Sequence, residues 1–579
     1  MRLVLPRLIL VVLLIVAAWP TAQIGRRADL NVAYVSIETL DPQRMRASED
    51  IRCAYALFEG LCTFDPATFT IQPGVAERWE VSDDGLTYTF YLRDNARWSN
   101  GDAVTAHDFV AAWRQGMMPD ISPHYIDFLF YIKGGRAYFD WCRAELERIN
   151  KITDQAQRLT AARRRIEQAA VQFEQTVGVG TPDPQTVIVQ LERPTPFFLE
   201  IAACWPLFPL HQPTMDAVCD LNLDTLMLRR DPQWTKPDRL IGNGPYRLAA
   251  WRFKQDIRFE ANPHYWNRDV VGPQSVRLTN YKDHNTAFLA YQTGALDILF
   301  GTPVGYRDEL VKAGREGSRT DIHEVDAYGT YYYAFNCRPK LSDGRANPFA
   351  DARVRRAFTM AIDKHELVAN VTRIHQTVAG AFIPPSAIAG YQSPAGLDYD
   401  PQAARRQLAD AGYPDFSGFM PIVISYNTGG GHEDVAHAVG AMWTEHFGVS
   451  VSYEAQEWKV YLNKRNTGDF MIARSGWFGD YVDPTTFLDL FVSTNGNNDT
   501  GFNDPAFDEL MRRAAESLDP AARYRLLEQA EAYLVDQQLP LAPLFHYKLI
   551  HVFDPDRLHN VSLHPRNMHM YHLIRVPQR

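Results

Sequence analysis

Apolar residues recur at every second position from Ala28 to Ser36 (Leu30, Val32, Tyr34), and the run ends at the turn Leu40-Asp41-Pro42. That spacing predicts a strand. A short helical pattern starts at Ile51 and runs into Leu57-Phe58-Glu59-Gly60-Leu61. From Leu86 to Leu92 the alternation is strict, with Leu86, Tyr88, Phe90 and Leu92 against Thr87, Thr89 and Tyr91. Asp83-Asp84-Gly85 precedes it, and a glycine accepts the positive φ of a tight hairpin, so a two-strand ribbon is expected. After a turn at Arg97-Trp98-Ser99-Asn100-Gly101, Thr105 as N-cap and Asp108 at N3 open a helix. Between Cys142 and Thr176 apolar residues step by three and four (Ile149, Ile152, Ala156, Leu159, Ile166, Ala170, Phe173), which predicts an amphipathic helix. Arg163 interrupts the stripe, and a solvated helical excursion is the expectation there. Tyr331-Tyr332-Tyr333-Ala334-Phe335-Asn336 reads as a strand whose tyrosines pack.

At 579 residues the chain exceeds what one core organises, so two or three domains are expected. Apolar residues make up 46% and charged residues 22%, an ordinary globular balance. A formal charge of -10 with no basic stripe argues against nucleic acid as a partner. Residues 1–22 carry Arg2 and Arg7, the apolar run Leu8–Trp19, then Pro20-Thr21-Ala22. Twelve apolar residues are short for a membrane span, so the segment reads as an export signal, or as an uncleaved anchor given Pro20 at the cleavage region. The six cysteines are scattered and show no metal-ligand spacing; after export, one or two disulfides are compatible with them.

The chemistry concentrates in Ala473-Arg474-Ser475-Gly476-Trp477-Phe478-Gly479-Asp480-Tyr481-Val482-Asp483-Pro484-Thr485-Thr486-Phe487. A guanidinium, an indole and a carboxylate lie close together, the groups needed to hold a zwitterion. A surface turn with a structural ion pair has the same composition.

This loop resembles the one by which the oligopeptide- and dipeptide-binding proteins of bacterial ABC importers, extracellular solute-binding protein family 5, grip a peptide's N-terminus. The resemblance extends over Phe58-Glu59-Gly60-Leu61, Gly74–Trp113, Asn243-Gly244-Pro245-Tyr246, Asn262–Trp266, Asp351–Phe358 with Ala361–Lys364, and Gln456-Glu457-Trp458. It implies an α/β periplasmic-binding-protein-like fold, with two large lobes closing on the ligand and a smaller inserted domain. The implied boundaries are 28–54, 188–325 and 549–579 for lobe I, 55–187 for the small domain with an added helical segment at 142–176, and 326–548 for lobe II. Hinges are expected near 325 and 549.

The resemblance also implies roles. Asp480 pairs with the peptide ammonium. Ser36-Ile37-Glu38 and Gly476-Trp477-Phe478 flank its backbone. Trp477 and Trp458 wall a side-chain pocket, and Arg474 and His432 meet the terminal carboxylate. Tyr125 reaches the ligand from the small domain. Trp458 also fits an ordinary core position, and His432 an exposed helix start. Some relatives bridge two cysteines at places held here by Gly329 and Phe478. A lysine that some relatives use for longer peptides falls where this chain has Asn370, Thr372 and Arg373.

No enzymatic signature stands out: there is no GxSxG, GxGxxG or phosphate loop, and His432 and His437 are one residue too far apart for an HExxH pair. Asp480 and Asp483 have no evident nucleophile or base beside them. The expectation is therefore a non-enzymatic, monomeric, periplasmic protein without cofactor or metal. It captures short peptides and hands them to inner-membrane ABC permease subunits. Alternatives are the same fold with another ligand (dipeptide only, murein peptide, opine, nickel complex or sugar), or a membrane-tethered peptidase or scaffold.

Overall fold

The alternating residues after Ala28 form strand β1 (Leu30–Tyr34) in a computed structural model that describes residues 27–577 except 66, 69, 122, 123, 386, 415 and 417. The segment expected to be a signal or anchor, residues 1–22, lies outside the described residues. Strand β1 belongs to a ten-stranded sheet with β2 (Tyr246–Arg252), β3 (Asp256–Ala261), β4 (Ser275–Asn280), β5 (Ile298–Leu299), β6 (Ile322–Phe335), β7 (Ile422–Asn427), β8 (Val451–Gln456), β9 (Ile472–Phe478) and β10 (Leu541–Phe553). Their order is β2-β3-β4-β1-β5-β10-β6-β9-β7-β8. Strand β1 is parallel to β4, Leu30 facing Val276 and Tyr34 facing Asn280. Strands β6 and β9 are antiparallel, while β7 is parallel to both β8 and β9.

Two long strands, β6 and β10, join the halves of this sheet. Their ladder shifts register twice, narrowly between Tyr331 and Tyr332, where Leu544 is left unopposed, and more widely before Thr330. Asp326 faces Lys548 and Thr330 faces His546, so Ala327, Tyr328 and Gly329 oppose Tyr547 alone. A bulge of this kind bends and twists the strand that carries it. Separate cores flank the sheet: one gathers Leu30, Val32, Phe259 and Ile298, another Tyr333, Phe358, Ile424 and Trp443. The tyrosine run packs as expected, with Tyr331, Tyr332 and Tyr333 all buried. Gly329 and Phe478 lie directly opposite in the β6–β9 ladder, and all six cysteines are unpaired.

Local signals translate into elements with small shifts. Helix α1 (Ser48–Leu57) covers the pattern begun at Ile51. The hairpin pairs Ala76–Val81 with Thr87–Leu92, and Gly85 takes φ +68° at its turn. Thr105 and Asp108 form the reciprocal capping box of α2 (Ala106–Gly116). The 142–176 region differs from the expectation. It holds two helices, α3 (Gly135–Asn150) and α4 (Gln155–Thr176), because Asp154 caps α4 by accepting from the Gln157 amide. Nor is α4 simply solvated: its buried positions are Ala162, Arg165, Ala169 and Phe173, so an arginine stands in the apolar stripe. Arg165 forms an ion pair with Asp120, both side chains fully buried, and Asp120 Oδ2 also accepts the Leu228 amide at 2.6 Å.

Candidate functional site

Strand β9 carries the chemical loop. The Gly479 amide donates to the Tyr328 carbonyl at 2.8 Å, in register with the β6–β9 ladder. In an antiparallel ladder successive residues point their amide and carbonyl to opposite edges. Odd-numbered residues of β9 therefore bond to β6, while Arg474, Gly476 and Phe478 turn theirs toward the other edge. On that edge β7 pairs only with Ile472 and Ala473. The backbone of Gly476 and Phe478 thus faces a stretch of strand edge that β7 leaves open. A side chain at Gly476 would displace Tyr547, since a Cβ there would stand 2.1 Å from the Tyr547 hydroxyl.

At one end of this edge lies Asp480. Its amide donates to Thr486 Oγ1 at 2.9 Å, which fixes the turn after β9. The residue keeps partial exposure, but its Oδ2 is sealed from solvent and has no hydrogen-bond partner. Burial raises the carboxyl pKa to about 7, and the Arg566 charge pulls the other way. Arg566 itself bonds the Asp480 backbone carbonyl and Glu200, at 3.1 Å from the latter. A cavity of about 30 Å³ adjoins the carboxylate, bordered by Trp477, Tyr125, Thr486, Asp127 and Asp489. That is about the volume of one water, or of one ammonium group. Trp477 stacks on Tyr125 with ring centroids 6.2 Å apart, and Tyr125 meets Trp205 edge-on at 4.8 Å. Asp127 and Asp489 were not expected from sequence. Burial lifts them to about 6 and about 7.

At the other end Arg474 reaches Asn427 Oδ1 at 3.3 Å and Tyr547 Oη at 2.9 Å, and its guanidinium lies over the Tyr331 ring at 5.0 Å. His432 is 9% exposed, with Nδ1 3.2 Å from Tyr331 Oη, so it is not an exposed helix start. Burial, then the charges of Arg474 and Arg307, hold its pKa well below the ordinary value. Both residues line a second, larger cavity of about 320 Å³.

Other sequence candidates sit less simply. Ser36 and Glu38 already donate their amides to Glu49 and Asp50, at 2.9 and 2.8 Å, so those two amides are not free for strand pairing. Ile37 is buried. Trp458 opens helix α8 (Trp458–Thr467), half-buried against Tyr461, and lines neither cavity. Its neighbour Lys459 pairs with Glu38 at 3.1 Å, one of two ion-pair links across the cleft among the described residues. The second is Arg46–Asp499 at 2.9 Å, with Arg465 on the same carboxylate at 2.7 Å. Phe478 stacks on Tyr547 at 4.7 Å. Asp483 is held by Arg523 through two contacts of 2.7 Å, so Asp480 and Asp483 are no carboxylate pair. His437 stacks on Tyr453 with ring centroids 4.2 Å apart.

Residues 70–499 match the profile of the bacterial extracellular solute-binding proteins, family 5 middle. The chain is 32% identical over 515 residues to the periplasmic murein peptide-binding protein MppA of Escherichia coli, covering 88% of this chain and 86% of that protein. It is 31% identical over 501 residues to the oligopeptide-binding protein OppA of Bacillus subtilis, covering 85% and 82%. Among solved structures, E. coli MppA superposes with a TM-score of 0.81 at 29% identity, covering 96% of this chain and 99% of that one. Its unliganded open form gives only 0.62 over 96% and 98%. Haemophilus influenzae OppA in complex with RPPGFSPFR gives 0.80 at 26% identity, over 96% and 100%. The difference between the two MppA comparisons agrees with the cross-cleft contacts: the conformation here is unlike the open one. The chain belongs to the bacterial extracellular solute-binding proteins of family 5, the non-enzymatic binding components of ABC importers.

Proposed function

We propose that this protein captures short peptides between its two lobes in the periplasm and presents them to an inner-membrane ABC permease. The observation that carries the reading is the sealed, unpartnered Oδ2 of Asp480 beside a cavity of ammonium size. A desolvated carboxylate is strongly unfavourable unless a cation meets it, and a peptide's α-ammonium is a cation of that volume. The open edge at Gly476 and Phe478 supports sequence-blind pairing with the peptide backbone. Arg474 at the far end suits the terminal carboxylate, since a guanidinium grips it in a fork. Four strand steps separate Arg474 from Phe478, about 13 Å, which fits peptides of about three to five residues. The lobes are read as 28–54, 188–325 and 549–579 against 326–548, with 55–187 as the small domain that carries Tyr125. They move about the broken ladder of β6 and β10.

Freshly purified protein is expected to release peptides that native mass spectrometry and sequencing identify after acid treatment. Recovery of a sugar, a metal chelate or another non-peptide as the sole ligand would sink this reading.

Closure should also respond to pH. In the closed, empty form the Asp480 pKa stands near 7, above the ordinary carboxylate value, so closing without ligand takes up a proton below about pH 7. Acid therefore favours the empty closed form, and the penalty on it is fully present above pH 7. A rise of about three units corresponds to on the order of 4 kcal/mol. Asp127 and Asp489 act in the same sense and Glu200 is raised too, whereas His124, which burial holds near 4, opposes them, because opening lets it take up a proton as the pH falls through its ordinary range. In small-angle scattering, ligand-free protein should shrink between pH 8 and pH 5, and the Asp480→Asn variant should shrink less. Equal responses would remove Asp480 from the linkage.

A further inference from the structure

The larger cavity holds more positive charge than one terminal carboxylate needs. Three helices begin on its wall: His284 is the first residue of α5 (His284–Gln292), Arg307 of α6 (Arg307–Arg315) and His432 of α7 (His432–Phe447). Helix starts present unsatisfied amides and the positive end of the helix dipole, which favour anions. Helices α6 and α7 have no side-chain cap, and α7 is entered through Gly429-Gly430-Gly431, all at positive φ. The Arg307 guanidinium donates to the Thr302 carbonyl at 3.2 Å, and neither Arg307 nor Arg474 has an ion-pair partner among the described residues. Burial depresses Arg307; burial first, and then the Arg307 charge, depress His284 against Asp283, whose side chain caps α5. Thr302 and Gln376 also line the cavity. They are 1% and 8% exposed, and their side-chain oxygens Oγ1 and Oε1 are buried without partners. The opposing acid, Asp434, stands exposed on the wall, and Lys548 is already engaged by Asp326.

We infer that this cavity is a subsite for a dianionic last residue, with the terminal carboxylate on Arg474 and a side-chain carboxylate on Arg307 and His284. The inference rests on the peptide reading above and deepens it: the preferred ligands end in glutamate or aspartate. Two unpaired guanidiniums match two negative charges. A volume of about 320 Å³, roughly ten waters, holds a whole residue rather than a lone carboxylate. Because Arg307 comes from lobe I and Arg474 from lobe II, such a residue would draw the lobes together.

The test uses tetrapeptides that differ only in the last residue, glutamate or glutamine, titrated calorimetrically into ligand-stripped protein. Wild type should prefer glutamate at least tenfold. Arg307→Gln should reduce that ratio below threefold, and Arg307→Lys should restore part of it. A purely structural defect would weaken both peptides together and leave the ratio intact. Equal binding of the two peptides by wild type overturns this inference alone, as does a tenfold ratio that survives Arg307→Gln. Failure of wild type to bind either peptide overturns the peptide reading and this inference with it.

Discussion

Asp480→Asn is expected to weaken free-amine peptides at least a hundredfold while the fold persists. The amide has the same shape and keeps the turn, since the backbone bond to Thr486 does not involve the side chain. What changes is charge. The ammonium would be sealed against a neutral group, and breaking one partner from a buried pair costs about 3–5 kcal/mol. N-acetylated peptides give the reciprocal measurement. Against wild type they should bind weakly, because they leave the carboxylate desolvated and unpaired. Against the variant, the gap between acetylated and free-amine forms should nearly vanish. Calorimetry on both peptides with both proteins closes the cycle, and circular dichroism checks the fold. An unchanged preference for the free amine would remove Asp480 from ligand recognition and take the peptide reading with it.

The same carboxylate explains why an empty receptor would stay open. Closing brings Trp477 onto Tyr125 and seals Oδ2 without a partner. On the proposed peptide reading the ligand's ammonium would relieve that penalty, so its binding energy would go into the closed state and hardly at all into the open one. A ligand shifts such an equilibrium only by its differential affinity for the two states. Arg46–Asp499 and Lys459–Glu38 then latch the lobes, but both pairs involve side chains that water can solvate when the cleft opens. They add specificity of register more than driving force.

How much of this could be read from the chain depends on how local each signal is. The hairpin at Gly85, the capping box at Thr105 and Asp108, and the alternation of β1 are encoded within a few residues, and each appeared nearly in place. The loop residues Arg474, Trp477 and Asp480 were legible because one strand and its turn carry all three. Arg307 was not, since Arg307-Asp308-Glu309 looks like any solvated helix start. Only the fold brings it opposite Arg474, 167 residues on along the sequence. Asp127 and Asp489 escaped for the same reason. That the Ser36 and Glu38 amides are engaged could not be read, because their partners, Glu49 and Asp50, sit in the first turn of α1, where acids are expected as helix-dipole partners and nothing more.

The largest stability effect should come at the partner of a buried arginine in α4, a segment expected from sequence to be solvated. Asp120→Ala would leave Arg165, whose side chain is fully buried, without its counter-charge, with its Nε already unpaired. An uncompensated buried charge costs about 3–5 kcal/mol, a large share of a domain's net stability. The loss should be local, because Asp120 ties α4 to the Leu228 amide, which belongs to a two-stranded ribbon apart from the ten-stranded sheet. Amide hydrogen exchange across residues 155–176 should therefore accelerate by two orders of magnitude or more, while β7 and β9 keep their protection. Replacing the pair together, as Asp120→Leu with Arg165→Met, removes the stranded charge and fills the same space, so most of the protection should return. If Asp120→Ala exchanged like wild type, α4 would have to find another acid or let water reach Arg165. The arginine in its apolar stripe would then mark an exchangeable surface, not a point that fastens the helix to the rest of the domain.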